Sequence, residues 1–208
     1  MNRIFENKFN QILNHKRIHR LMKVAGIQSV IRKKKKRYRK SSPQHIAENV
    51  LDRNFKAETP NKKWVTDVTE LKYGASKKAY SSAIYDLHDG SIISYVLGHR
   101  NNNTLVFKTM DLATALNEEE HPLIHSDRGY QYTSHGFKRR IDKAEMTHSM
   151  SRVGKCIDNG PMESFWGTLK CEEYYLHKYV TFEELSKAFN EYIYFYNFER
   201  YQERLNGD

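Results

Sequence analysis

Cysteine is nearly absent: Cys156 and Cys171 are the only two in 208 residues. They make no CxxC pair, so their spacing suggests neither a disulfide framework nor a zinc site, and we read both as free thiols. No apolar run approaches the roughly 20 residues that span a bilayer. The N-terminus is too polar and basic to follow a signal-peptide pattern, which points to a cytoplasmic chain with no membrane partner. No internal repeat is present. Acidic residues are scarce at one end only. Residues 1–63 carry 4 Asp or Glu against 18 Lys or Arg, a net +14, whereas the rest of the chain carries 21 against 17, a net −4.

What is present suffices for one core. Hydrophobic residues make up 38% of the chain, with 10 Phe and 14 Tyr to fill it. The length suits one main domain, alone or with a small appendage. A basic arm ahead of a mildly acidic body is the electrostatic pattern of a nucleic-acid binder. Within the arm, "NHKRIHRLMKVAG" (14–26) reads as a short helix with Asn14 as N-cap and Gly26 as its stop. Ile18, Leu21, Met22 and Ala25 fall at i, i+3, i+4 and i+7, one apolar stripe. Lys16, Arg17, His19, Arg20 and Lys23 occupy much of the rest. That division suits a small DNA-binding unit and equally an ordinary surface helix. "RKKKKRYRK" (32–40) then places eight basic residues in nine. Such a block repels itself and is expected to be extended or disordered when free. Phosphate backbone is its natural partner through counterion release, without sequence information. "SSPQ" (41–44) reads as a linker.

From about residue 60 the pattern becomes α/β. "KKWVTDVTELKY" alternates like a strand, and "AYSSAIYDL" and "SIISYVLGHR" follow across the turn signal "HDGS". Short links predict an antiparallel meander. "NNTLVFKTMDLATALNEE" reads as a helix, "PLIHSD" as a short strand, "SHGFKRRIDKA" as a helix and "EMTHSM" as a last strand. "SRVGKCIDNG" is a loop, and Pro161 suits the first position of the next helix. "TFEELSKAFNEYIYFYNFER" opens with a capping box, Thr181 and Glu184, and carries Leu185, Ala188, Phe189, Tyr192, Ile193 and Tyr196 as a core stripe. The body therefore reads β-β-β-α-β-α-β-α-α, a mixed five-stranded sheet with helices packed against it.

Three acids stand out. Asp67 sits in the middle of "WVTDVTE", where strands favour apolar or β-branched residues. A buried unpaired carboxylate is costly, so a hydrogen-bond network, a cation or a metal must compensate. Asp127 lies where "LIHSD" runs out into a turn, and ligands of open α/β sheets gather beyond strand ends. Glu163 lies in the first turn of the helix after "DNGP". Lys170, seven residues on, returns to within about 20° of the same face. Each alone has a plain reading: a turn residue, an acid favouring the helix dipole, a surface lysine. The combination raises a sharper one.

Together "WVTDVTE", "HSDRGYQYTS" and "DNGPMESFWGTLK" resemble the catalytic core of bacterial insertion-sequence transposases of the OrfB class, relatives of the retroviral integrases. The 35 residues between Asp127 and Glu163 match that family's DDE pattern, and Lys170 matches its following basic residue. "YNFERYQERLNG", with Asn197 and Arg200, resembles the closing helix. "NHKRIHRLMKVAGIQS" resembles the end of the N-terminal helix-turn-helix region.

The resemblance implies a partial helix-turn-helix-like basic DNA-binding region and linker at 1–45, then an RNase H-like α/β core at 46–208. It implies a Mg²⁺-dependent polynucleotidyl transferase, with Mn²⁺ as a substitute, that cleaves and transfers strands at element ends. Asp67, Asp127 and Glu163 would be the catalytic, metal-binding acids. Lys170 would contact the DNA backbone, with Asn159 and Arg152 as further candidates. Arg32, Lys33, Lys34, Lys35, Lys36 and Arg37 would contact phosphates from the arm. The chemistry agrees: Mg²⁺ takes oxygen ligands and keeps several waters, and two hard cations about 4 Å apart activate the attacking oxygen and stabilise the leaving one. Element ends and target DNA are the implied partners. A homo-oligomer on DNA is expected because two ends are joined, with an upstream-frame protein supplying targeting.

The chain begins later than the family, without the helices that precede "NHKRIHRLMK", and stops at "RLNGD" where members continue. A shortened reading frame is therefore expected, leaving the apolar stripe of residues 18–25 without its packing partner. Gly160 stands where the family often has alanine. Two alternatives stay open: a non-catalytic DNA-binding remnant that regulates transposition, and an RNase H-like nuclease. The three acids favour the transposase, the missing helices favour the remnant, and the 35-residue spacing with Lys170 argues against the nuclease.

Overall fold

In the computed structural model, which describes residues 8, 12–27, 44–153 and 156–201, the alternating pattern around Asp67 forms a long strand, β1 (Lys63–Tyr73). Gly74, at φ 54°, turns the chain into β2 (Lys77–Asp86), and Gly90, at φ 71°, turns it into β3 (Ile92–Gly98). These left-handed positions suit glycine, which lacks a Cβ to clash. The three strands pair antiparallel, as their short links require. The basic run at 32–40, nearly all of the linker and the closing "RLNG" lie outside the described residues.

Two longer excursions follow, and each returns a strand parallel to its predecessor in the sheet. Helix α2 (Asn103–Leu116), capped by the Asn102 side chain on the Leu105 N–H, leads to β4 (Leu123–Ser126). Helix α3 (His135–Lys143), capped by Ser134 on the Phe137 N–H, leads to β5 (Thr147–Met150). The β4 strand pairs parallel with β1, and β5 parallel with β4, so the order is β3-β2-β1-β4-β5. A 3₁₀ turn (Cys156–Asn159) enters α4 (Gly160–Leu169), and α5 (Phe182–Phe198) closes the described chain. Ahead of the sheet, helix α1 (His15–Val24) has the Asn14 cap expected of it, and of its stripe Ile18 is buried while Leu21 is exposed.

Two details differ from the sequence pattern. Gly160 takes the first helical position and Pro161 the second, where an N–H would have no intrahelical partner and its absence in proline costs nothing. After α4 the helix does not stop. It widens into a π turn (Lys170–Tyr174). The Thr181–Glu184 capping box forms as expected.

Strand alternation splits the core into two layers. Val65, Leu71 and Tyr73 of β1 pack with Phe165, Trp166 and Leu169 of α4 and with Leu185, Phe189, Tyr192, Ile193 and Tyr196 of α5. Trp64 of β1 and Ile124 of β4 pack on the other face with Val106 and Met110 of α2 and Phe137 and Ile141 of α3. Odd-numbered residues of β1 thus face α4 and α5. Among the described residues, no helix is long and apolar enough to cross a membrane.

Candidate active site

The sheet brings Asp67 and Asp127 side by side. Asp67 shares the odd-numbered phase of Val65 and Leu71, the α4 face of β1. In β4, Leu123 packs against the same layer, and Asp127 continues its phase just past the last strand residue, Ser126. The parallel register pairs Val65 with His125, so two residues further on Asp67 stands level with Asp127. Tyr132 senses both. Burial first, and then the charges of Asp67 and Asp127, push its phenol well above the usual range. Its hydroxyl lies 3.2 Å from Thr66 Oγ1.

Asp127 ends its strand by turning back on itself. Its Oδ1 accepts the Gly129 N–H at 2.7 Å, a local Asx-type bond that replaces further ladder pairing. A Cβ at residue 129 would stand 2.9 Å from that oxygen, so glycine permits the approach. Burial raises the Asp127 carboxyl above its ordinary pKa, and the Gly129 N–H offsets only part of this. Among the described residues Asp127 forms no ion pair. A half-buried carboxylate held by one N–H favours an arriving cation.

Helix α4 carries Glu163 in its first turn, half-buried. Two side chains fasten this helix to β1. Asn159 Nδ2 donates to the Thr66 carbonyl at 3.1 Å, and the Lys170 ammonium donates to Thr69 Oγ1. The two ties bracket Asp67. Asn159 is 5% exposed and Lys170 6%. Arg152 folds onto Asp158, giving Nε and Nη2 bonds of 2.9 and 3.0 Å while its own N–H adds another at 3.0 Å. Arg53 Nε reaches the same carboxylate at 2.8 Å. Asp158 is 1% exposed, and the Arg152 guanidinium holds its carboxyl well below the usual carboxylate range. Beside it His125 lies between Ser149 Oγ at 2.8 Å and Ser151 Oγ at 3.0 Å, and burial lowers its pKa to about 4.

The structure thus sets Asp67 and Asp127 together and carries Glu163 on a helix tied to the same strand. Among the described residues, no three of His, Cys, Asp and Glu stand close enough to hold a metal ion. The donor set still fits one class of ion: carboxylate oxygens alone suit a hard divalent cation rather than zinc. Lys170 is on the acids' face of the sheet, whereas Asn159 points inward and Arg152 is engaged by Asp158. Arg32 to Arg37 lie outside the described residues. Sequence reasoning missed Asp158, Tyr132, Gly129 and Arg53. A glycine two residues after an aspartate is a readable turn signal; Arg53 offers no such signal.

Comparison with known proteins agrees with this architecture. Residues 57–156 and 144–207 match two families, each described as an integrase core domain. An uncharacterised transposase-like protein of Haemophilus influenzae is 42% identical over 195 residues, which cover 94% of this chain and 90% of that protein. An Escherichia coli protein named as a transposase, InsK, for insertion sequence element IS150 is 40% identical over 196 residues, covering 94% of this chain and 69% of its own length. Among solved structures, the HTLV-2 integrase catalytic core domain in complex with magnesium superposes with a TM-score of 0.54. That match has 19% identity, over 73% of this chain and 94% of the other. The mixed five-stranded sheet with flanking helices is the RNase H-like fold of such catalytic cores. The chain belongs to the insertion-sequence transposases, whose integrase core is of the retroviral type. The general activity of that family is polynucleotidyl transfer on DNA.

Proposed function

We propose that Asp67, Asp127 and Glu163 hold divalent cations, Mg²⁺ with Mn²⁺ as a substitute, and that this chain cleaves and joins DNA strands at the ends of an insertion sequence. The observation that carries the reading is the parallel β1–β4 register, which pairs Val65 with His125 and so sets Asp67 and Asp127 level two residues further on, with the helix of the third acid fastened to β1 on both sides of Asp67. Bound divalent cations supply a more acidic attacking oxygen and a stabilised leaving oxygen. The chain's residues do the positioning. Asp127 binds as the carboxylate, so cation and proton compete for it. Its raised pKa makes that competition felt at higher pH than for an ordinary aspartate.

The reaction needs no covalent protein nucleophile. Water attacks the phosphorus at the element end, the P–O3′ bond breaks, and the element keeps a free 3′-hydroxyl. That hydroxyl then attacks a target phosphodiester and displaces the target's own 3′-oxygen. Lys170 contacts backbone phosphate on the acids' face of the sheet. Arg152, with its side chain 45% exposed, adds a contact at the rim, and Asn159 supports the start of α4. The basic residues Arg32, Lys33, Lys34, Lys35, Lys36 and Arg37 neutralise further phosphates. Residues 1–45 serve as the DNA-binding region and 46–208 as the core. Joining two ends calls for a homo-oligomer on DNA, aided by an upstream-frame DNA-binding protein, in the cytoplasm at the nucleoid.

A strand-joining assay tests this. Labelled element ends, a plasmid target and Mg²⁺ are incubated with the purified chain and with Glu163→Gln. Joining that requires Mg²⁺ and disappears in Glu163→Gln, with DNA binding retained, is the expected result. Joining by Glu163→Gln at the native rate sinks the assignment.

A further inference from the structure

The 3₁₀ turn that enters α4 ends on a buried polar side chain, one of whose atoms the proposed chemistry leaves unused. Asn159 is 5% exposed. Its Nδ2 donates to the carbonyl of Thr66, the residue directly before Asp67. Its Oδ1 is buried without a hydrogen-bond partner among the described residues. Folded proteins leave few side-chain acceptors in that state. Glu163 lies four residues on, in the first turn of the helix that Asn159 precedes. Asn159 therefore links the helix of one acid to the strand of another, with an unused acceptor at the link.

We infer that Asn159 is a positioning residue for the cation site. Its amide N–H sets α4 against β1 and so fixes the spacing of Glu163 and Asp67. Its Oδ1 accepts a hydrogen bond from a donor that arrives with the cation, a coordinated water, since Mg²⁺ and Mn²⁺ in carboxylate sites keep several. Outer-shell partners of this kind orient ligands, and their loss costs about ten- to hundred-fold in metal affinity. The role differs from that of Asp158 next to it, whose carboxylate is saturated by Arg152, Arg53 and the Asn49 amide at 3.3 Å. Asp158 ties the turn to the rest of the chain; Asn159 ties it to the acids.

The inference rests on Asp67, Asp127 and Glu163 being cation ligands, and the test separates the two. Mn²⁺ is titrated into the full chain and its free signal read by electron paramagnetic resonance, with thermal melting as a fold check. Wild type is expected to bind Mn²⁺ at a site that Asp127→Asn removes. Asn159→Ala is expected to stay folded and to bind about ten- to hundred-fold more weakly. Should that variant fail to fold, Asn159→Ser, too short to reach the Thr66 carbonyl, carries the comparison and the same expectation. Arg53→Gln loosens the same turn through Asp158 and is expected to melt earlier while keeping wild-type Mn²⁺ affinity. Native affinity in the Asn159 variants overturns the inference and leaves the acids' assignment standing. Equal weakening in Arg53→Gln also overturns it, because the effect would then be general loosening. Wild-type binding unaffected by Asp127→Asn defeats both readings.

Discussion

Adding one methyl group at Gly129 tests how closely the Asp127 carboxylate must be held. The new Cβ would stand 2.9 Å from Asp127 Oδ1 and 3.1 Å from Gln131 Oε1. Carbon–oxygen contacts settle near 3.3–3.6 Å, so the carboxylate must retreat by about half an ångström. Its 2.7 Å bond from the Gly129 N–H then lengthens and bends. A hydrogen bond to a charged group contributes about 1.5–3 kcal/mol, and each 1.36 kcal/mol in a barrier is about tenfold in rate. Gly129→Ala is therefore expected to slow strand joining by about ten- to hundred-fold. Stability should respond differently. Residue 129 does not need a left-handed backbone, and a Gly→Ala change stabilises by about 0.4–1 kcal/mol through the unfolded chain at a compatible site. The short Asp127 side chain can give way, so melting should move by only a few degrees. The assay is the joining rate set beside the melting temperature. An unchanged rate would refute the reasoning, and so would a lost rate that merely follows a collapse in melting.

Other perturbations reach other parts of the account. Lys170→Ala should weaken DNA engagement and, by releasing the tie to Thr69, loosen the acids as well; native DNA affinity in that variant would contradict its role at the phosphate backbone. Deleting residues 32–40 should flatten the salt dependence of DNA binding by a log–log slope of about 0.9 for each phosphate no longer neutralised, and an unchanged slope would mean the run is not a DNA arm. Burial lowers His125 and His148 from 6.5 to about 4. The unfolded chain binds these protons first, so stability should fall as pH drops from 6.5 to 4, on the order of 3 kcal/mol for each group. Asp127 works the opposite way, because its raised pKa makes the folded state the better proton binder above 3.8. Urea titrations at pH 7 and pH 4.5 would show a net loss at the lower pH; equal midpoints would mean the histidines are not held neutral.

Much of this fold is written in local pattern. Alternation around Asp67, the "HDGS" turn and the Thr181–Glu184 box each act within a few residues, and each forms as read. The phase of Asp67 is legible too, since it shares the parity of Val65 and Leu71. The strand order is not, because the β1–β4 register joins Lys63 to Leu123 across the whole meander and α2. The surroundings of the acids are harder still. Lys170 reads as a solvent-facing lysine, but the helix widens at this residue and its ammonium turns inward to Thr69. Asn159 and Arg152 read as loop residues open to DNA. Their partners come from Thr66, 93 residues away, and from Asp158, which Arg53 also grips across 105 residues. Pairings of that span leave no local signature in sequence.

The central claim is that three acids, one on β1, one just past the end of β4 and one on α4, form a single cation site. Crystals of the chain grown with Mn²⁺ and short element-end DNA would test it most directly through anomalous scattering. The account predicts a peak bonded to carboxylate oxygens of Asp67 and Asp127, with Glu163 drawn in to complete a site. A peak held by other residues, or Mn²⁺ on the DNA alone with Asp67 and Asp127 unliganded, would contradict it.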